Sequence, residues 1–172
     1  MDLGFLAPDP GRFDEVSVEL CACSIWSDQR PMGGLAGLLD WRLGGRLSAL
    51  LKSGFVTGAK GEALLVPGKP HVPFEKVLVV GLGARAEFDD VMFRAAMTQL
   101  ARCLEGLRVR RCVIELPGRG SDAIEPERAM TLTLEGVGTS AEHDAWWVVD
   151  TLTAQKRMQT AVDEERRRSR AI

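Results

Sequence analysis

Residues 33–83 read GGLAGLLDWRLGGRLSALLKSGFVTGAKGEALLVPGKPHVPFEKVLVVGLG and predict two helices followed by two strands. Leucine recurs in this stretch at helical spacing, at positions 35, 38, 39, 43, 47, 50 and 51. Because a glycine inside a helix costs about 1 kcal/mol relative to alanine, Gly44 and Gly45 should divide the region into two short helices. The apolar run at 76–82 is typical of a central strand covered on both faces.

The flanking sequence continues the alternation of strands and helices. Further strands are predicted at 16–25, 111–116 and 145–150, and further helices at 89–105, 127–137 and 152–168. The buried side of the first of these helices should carry positions 88, 92, 95, 96, 100 and 103. This order predicts an α/β fold with three α/β/α layers and a mixed, mostly parallel sheet. At 172 residues the chain has the length of one domain, taken as 1–172.

Composition is that of a compact protein, with 45% hydrophobic residues and a net charge of −2. No apolar stretch approaches the roughly 20 residues that span a bilayer. The first residues also lack the basic-then-apolar order of a signal peptide. We therefore expect a cytoplasmic protein with no membrane association.

The cysteines and histidines are not spaced as zinc ligands. They are Cys21, Cys23, Cys103, Cys112, His71 and His143. The two cysteines in the predicted strand should point to the same face of it, as small core residues. Both histidines fall in polar or proline-rich connections and are expected at the surface. The sequence therefore predicts no bound metal and no other cofactor.

Several short motifs, taken in order, resemble the N-terminal domain of the leucine aminopeptidases, the family M17 metallopeptidases. That domain carries a Leu-Asp-x-x-Leu-Gly-Gly-x-Leu helical region, a Gly-x-x-Gly turn, a short apolar strand and a strand ending in Val-Gly-Leu-Gly. The matching residues here are 39–47, 58–61, 64–66 and 77–83. The resemblance covers about 16–138 and implies the macro-like fold of that domain.

The resemblance also implies what this chain does not do. In the family, the peptidase lies in a second, larger domain, where carboxylates and a lysine hold two metal ions. Its Asn-Thr-Asp-Ala-Glu-Gly-Arg signature is absent here, and the sequence contains no asparagine. Residues 145–170 depart from the family pattern and suggest a self-contained ending. We therefore expect a non-catalytic, stand-alone relative that acts as a homo-oligomer or with a protein partner, or as the regulatory companion of a separate metalloaminopeptidase.

An alternative is a phosphate- or nucleotide-binding module. The macro fold is best known for ADP-ribose recognition, in which a glycine-rich loop before a helix binds phosphates through backbone N–H groups. Gly33, Gly34, Leu35, Ala36 and Gly37 resemble that loop. The Asn-Ala-Ala-Asn element that positions the distal ribose is absent, and Asp28 is the one acid in the corresponding stretch 24–29. Asp28 therefore joins the candidate ligand site, and hydrolysis of ADP-ribose is not predicted.

Three other patterns suggest a dinucleotide site, a nucleic-acid site and a protein interface, respectively. Gly81, Gly83 and Ala86 match G-x-G-x-x-A, but the acid ending the next strand lies more than 30 residues on, which disfavours a dinucleotide site. The arginine-rich tail at 166–170 ends a predicted helix, where cations are favourable, so nucleic-acid binding is not favoured. Trp146 and Trp147 should point to opposite faces of a strand, and we consider them for a protein interface.

Overall fold

The computed structural model of the chain describes residues 1–137 and 142–170. These residues form six strands, β1 (Asp2–Leu6), β2 (Leu20–Ile25), β3 (Ala63–Pro67), β4 (Lys76–Gly81), β5 (Arg111–Ile114) and β6 (Ala145–Val149). Their helices are α1 (Pro10–Phe13), α2 (Gly34–Arg42), α3 (Arg46–Lys52), α4 (Asp90–Gly106), α5 (Pro126–Val137) and α6 (Leu152–Arg170). Short 3₁₀ turns occur at Arg85–Glu87 and Arg119–Ser121.

The described strands form one sheet in the order β1-β6-β5-β2-β4-β3. The first five are parallel to their neighbours, and β3 runs antiparallel to β4. One apolar core joins the sheet to α4, α5 and α6, and a second joins its other face to α1, α2 and α3. The predicted three-layer α/β/α architecture with a mixed, mostly parallel sheet is confirmed.

Alternate side chains of strand β2 pack into the two cores on opposite faces of the sheet. Leu20 and Ala22 belong to the core beneath α4–α6, whereas Cys21 and Cys23 belong to the core beneath α1–α3. All four are fully buried. The prediction that both cysteines lie on one face of a buried strand is therefore confirmed.

The C-terminal segment completes this sheet and one of its two cores. Strand β6 lies between β5 and β1, with Trp146 opposite Leu3 and Cys112. Helix α6 packs on α5 and contributes Met158 to the main core. Strand β1, which the sequence did not predict, covers the outer side of β6.

The free edge at β3 is short and carries a proline. Gly81 N donates to Glu62 O, and Gly68 N donates to Glu75 O. The backbone N–H and C=O groups of the even-numbered residues in β3 therefore point toward β4. Pro67 therefore has its nitrogen on the outer side, where a missing N–H breaks no bond within the sheet. Such an edge is a poor template for pairing with another strand.

His143 is buried, which corrects the expectation of a surface residue. It is 2% exposed, and its ring centroid lies 5.0 Å from that of Trp146. Among residues 1–137 and 142–170, neither ring nitrogen has a hydrogen-bond partner, and Glu105 Oε1 lies 3.7 Å from Nε2. Burial lowers the pKa of this imidazole. His71 is exposed as predicted.

Candidate functional site

The candidate ligand loop lies at the carboxyl edge of the parallel strands, where open α/β sheets bind their ligands. Residues 33–37 lead into α2, and the N-cap residue Gly33 has no side chain with which to cap the helix. Gly34 has a φ of +58°, a backbone conformation that glycine adopts without strain. The first amides of α2 have no acceptor within the helix and attract negative charge.

A carboxylate from the same chain occupies this helix start. Glu115 follows β5 and is 6% exposed. Its Oε2 accepts a hydrogen bond of 2.8 Å from the backbone N–H of Leu35, in the first turn of α2. Glu115 therefore lies where the sequence analysis expected the phosphate of a ligand. We call this position, formed by the Leu35 amide and the turn at 118–120, the anion seat.

The Glu115 carboxylate lies between two glycines, Gly34 and Gly120, which belong to two different loops. A Cβ on Gly34 would lie 2.8 Å from Glu115 Oε2 and 2.8 Å from the Cα of Gly120. A Cβ on Gly120 would lie 2.6 Å from Glu115 Oε1. Both approaches are closer than real side chains tolerate, so glycine is needed on each side of the carboxylate. The two loops are thus closed on Glu115.

Little space remains beside the anion seat. The adjoining cavity measures about 10 Å³ and is lined by residues of β2, of the loop that follows it and of the turn, including Ser24, Trp26, Gln29 and Ser121. That volume is about one water molecule. The Trp26 indole Nε1–H donates to Ser121 Oγ at 3.0 Å, which joins the two walls. A nucleotide therefore does not fit this closed form.

A buried ion pair anchors the turn that covers Glu115. Arg119 donates from Nε to Asp150 Oδ2 at 2.7 Å and from Nη2 to Asp150 Oδ1 at 3.2 Å. The two side chains are 4% and 7% exposed, and Arg119 Nη1 also donates to the carbonyl of Ile124 at 2.6 Å. Two parallel charge-assisted bonds fix orientation as well as distance. The turn at 118–120 is thus tied to the end of β6.

The environment shifts the ionisation of Glu115. Burial raises the pKa of its carboxyl from an ordinary 4.5 to about 7, and the nearby Asp150 charge adds to the rise. The Leu35 N–H bond and the charge of Arg119 oppose it. Near neutral pH the group therefore exchanges between a neutral and a charged form. The sequence pattern relates this acid only to the disfavoured dinucleotide site and gives no link between it and residues 33–37.

The other predicted site residues lie elsewhere. Asp28 is exposed, and its two carboxylate oxygens accept from the Arg85 N–H at 3.2 and 3.3 Å. Trp146 is fully buried in the core. Trp147 is half-buried, with the Arg111 guanidinium 5.3 Å from its ring centroid. None of these side chains lines the cavity beside the anion seat.

The second glycine-rich motif packs against the protein itself. A Cβ on Gly81 would lie 2.0 Å from the carbonyl oxygen of Ala59, and Gly83 N donates to Gly58 O at 2.9 Å. The carboxylate of Glu62 accepts from the amides of this Gly-x-x-Gly turn, including Gly58 N at 2.7 Å. These glycines allow β4 to pass close to the turn at 58–61.

Metal sites and membrane-spanning helices are two further features considered for the described part of the chain. Among residues 1–137 and 142–170, no group of three or more His, Cys, Asp or Glu side chains is arranged to hold a metal ion. Within that same part of the chain, no helix has the length and apolarity needed to cross a membrane.

The parallel sheet, the helices on both faces and the glycine-rich start of α2 define a macro-like α/β domain. A Trypanosoma brucei macrodomain in complex with ADP superposes with a TM-score of 0.71 at 14% identity, covering 94% of this chain and 69% of that one. A mutant of tomato leucine aminopeptidase gives a TM-score of 0.62 at 15% identity, covering 94% of this chain and 35% of the enzyme.

Sequence comparison identifies the family. The profile of the cytosol aminopeptidase family, N-terminal domain, matches residues 25–144, so the chain belongs to that family. The "Probable cytosol aminopeptidase" of Halorhodospira halophila is 34% identical over 127 residues, which are 71% of this chain and 24% of that protein. The chain thus spans about a quarter of the length of this relative. The resemblance to the M17 N-terminal domain is confirmed.

Proposed function

We propose that this domain acts without catalysis, through assembly with its own copies or with a protein partner, in the cytoplasm. One observation carries the proposal, namely that Glu115 fills the anion seat and leaves a cavity of about 10 Å³ beside it. Because its own side chain occupies the expected ligand position, the domain in this form does not bind a ligand there. Its function then depends on contacts that its surface makes with other protein molecules.

The surface offers two large aromatic side chains near one helical pair. Trp41 on the last turn of α2 is 74% exposed, and Phe55 just after α3 is 72% exposed. The buried face of α2 is formed by other residues, so Trp41 adds nothing to the core. Aromatic side chains are enriched among the residues that dominate binding at protein interfaces. Because Pro67 blunts the β3 edge, we propose contact through the α2–α3 side and not through strand pairing.

Sedimentation velocity tests this surface. The unmodified protein should sediment as an oligomer, and the double variant Trp41→Ser with Phe55→Ser should shift toward the monomer. Leu152→Ser is the matched control, because this residue is 69% exposed on α6, against the other face of the sheet. Equal sedimentation of all three proteins as oligomers would remove the α2–α3 side from the proposal. If the unmodified protein is monomeric, mixing with an M17 metalloaminopeptidase of the same organism tests the companion form, and an unchanged profile contradicts it.

Nucleotide binding is a second candidate, supported by the glycine-rich start of α2 and by the macrodomain that was solved with ADP. It requires Glu115 to leave the seat, since ligand and carboxylate would share the Leu35 amide. Titration of the protein with ADP-ribose, AMP and phosphate in a calorimeter tests it. Saturable heat that disappears in Gly34→Glu would establish residues 33–37 as the binding loop.

A further inference from the structure

We propose that the groove between α4 and α5 binds a small zwitterion with an apolar side chain, of the class of the free amino acids. This site is separate from the surface and from the loop discussed under the proposed function. Glu105 lies near the end of α4, which leads into β5, and His143 shortly precedes β6. This end of the groove therefore lies at the amino edge of the parallel strands, opposite the edge that carries residues 33–37.

The inner end of the groove contains buried nitrogen atoms without hydrogen-bond partners. Buried polar side-chain atoms nearly always have such a partner. Among residues 1–137 and 142–170, those that lack one are Nδ1 and Nε2 of His143 and Nε1 of Trp146. The two rings pack on each other, with centroids 5.0 Å apart. Because His143 also lines the groove, a ligand there meets an imidazole whose hydrogen bonds are unfilled.

The groove is large enough for a small molecule. Its volume is about 410 Å³, within the roughly 300–1,000 Å³ of ligand pockets. An ion pair of 2.6 Å between Arg94 and Glu135 joins the two helices. No atom of the described chain lies within 4 Å of a Cβ placed on Gly136, so this glycine leaves part of the groove open. Buried apolar residues form its floor, at 97, 101, 132 and 137.

The charged side chains of the groove suit a ligand with one positive and one negative charge. Arg94 is engaged by Glu135, whereas within the described part of the chain no ion-pair partner accompanies Arg102. Glu105 follows one turn later on α4, with Oε1 3.7 Å from His143 Nε2. Burial lowers the pKa of His143, so near neutral pH its imidazole is uncharged and one of its nitrogens can accept a hydrogen bond.

An amino acid fits these groups with each charge paired. Its ammonium group has three N–H donors and can bond both Glu105 and His143, whose acceptor atoms lie close together. Its carboxylate then faces Arg102, because side chains three residues apart on a helix are neighbours. Its side chain lies on the apolar floor. A ligand with a single charge would leave Arg102 or Glu105 unpaired.

NMR of the histidine side chains tests the site directly. The sequence contains two histidines, and the other one, His71, is exposed and does not line the groove. The probe is L-phenylalanine, titrated to about 20 mM, since ligands of this size bind weakly. The ring-nitrogen resonances of His143 should shift saturably while those of His71 stay unchanged. Phenylpropanoate, which lacks the ammonium group, and phenylethylamine, which lacks the carboxylate, should each bind at least tenfold more weakly.

Two glycines near helix ends provide a matched pair of variants. Gly136→Leu fills the open part of the groove and should weaken binding of L-phenylalanine at least tenfold. Gly106→Leu should bind as the unmodified protein, because Gly106 has equally open surroundings but does not line the groove. If circular dichroism shows that Gly136→Leu is unfolded, Arg102→Glu replaces it, since this side chain is exposed, and should weaken binding to the same degree.

Three results would each overturn the inference. They are the absence of a saturable His143 shift, equal affinity for L-phenylalanine and either analogue, and unchanged binding by the folded groove variant. The sedimentation of the Trp41 and Phe55 variant is independent of all three, so the proposed function stands or falls separately.

Discussion

Replacing Glu115 by glutamine should stabilise the protein above pH 7 and remove part of its pH dependence. The folded-state pKa of this carboxyl is about 7, against 4.5 for an unhindered glutamate. Between these values the folded protein holds a proton that the unfolded chain has lost, so stability falls as pH rises from about 4.5 to 7. At about 1.4 kcal/mol per pKa unit, the full loss is about 3 kcal/mol. Glu115→Gln has no such proton to lose.

Urea unfolding at pH 5 and pH 8 measures this effect. The unmodified protein should lose about 2.5 kcal/mol more than Glu115→Gln between the two pH values, because part of the full loss has already occurred at pH 5. Glu62→Gln is the control, because this half-buried carboxylate accepts three loop amides that help to lower its pKa, so it should leave the pH dependence in this range unchanged. Parallel pH dependence of Glu115→Gln and the unmodified protein would refute the assignment of a raised pKa to a buried carboxylate.

Three further predictions concern stability. Gly34→Ala should destabilise the fold by about 1–3 kcal/mol, because a side chain at φ +58° would also meet Glu115, and a thermal scan that matches the unmodified protein would contradict this. Asp150→Ala removes the buried partner of Arg119 and leaves it only the exposed carboxylate of Asp122 at 3.1 Å, so it should cost about 3 kcal/mol in urea unfolding; a loss below about 1 kcal/mol would show that the Arg119–Asp150 pair is not shielded from water. Trp146→Ala should cost about 3–5 kcal/mol and Trp147→Ala much less, since the first is fully buried and the second half-buried; equal losses would argue against this packing.

Most helices and strands could be predicted because their starts and ends depend on residues close to them in sequence. The glycine pair at 44–45 separates α2 from α3, as expected from helix propensity. Helix α4 begins after Asp89, whose side chain accepts from Met92 N at 2.8 Å, close to the predicted start. Such signals lie within a few residues of the elements that they define.

The buried face of α4 was predicted less well. Burial of Ala96 and Leu100 was predicted correctly, but Met92, Ala95 and Cys103 are not buried. The other buried residues of this helix are at 93, 97, 101 and 104. Alanine and methionine on both sides of the stripe make its centre hard to locate by pattern alone. Strand β1 was missed for a related reason, since its residues are mostly half-buried at the sheet edge and show no clear alternation.

Local sequence could not predict that Glu115 occupies the anion seat. Leu35 and Glu115 are 80 positions apart, and their contact depends on how β5 and α2 meet across the sheet. The signal that was available is the pair of glycines at 118 and 120 directly after a strand ending in an acid. His143 illustrates the same limit, because its polar neighbours predicted exposure while packing on Trp146 buried it.

Calorimetric titration of the unmodified protein with ADP-ribose at pH 8 tests the central claim most directly, namely that Glu115 closes the anion seat. No saturable heat is expected at millimolar ligand. Saturable binding at micromolar ligand would contradict it, because the ligand would then have displaced a carboxylate that the structure holds between Gly34 and Gly120.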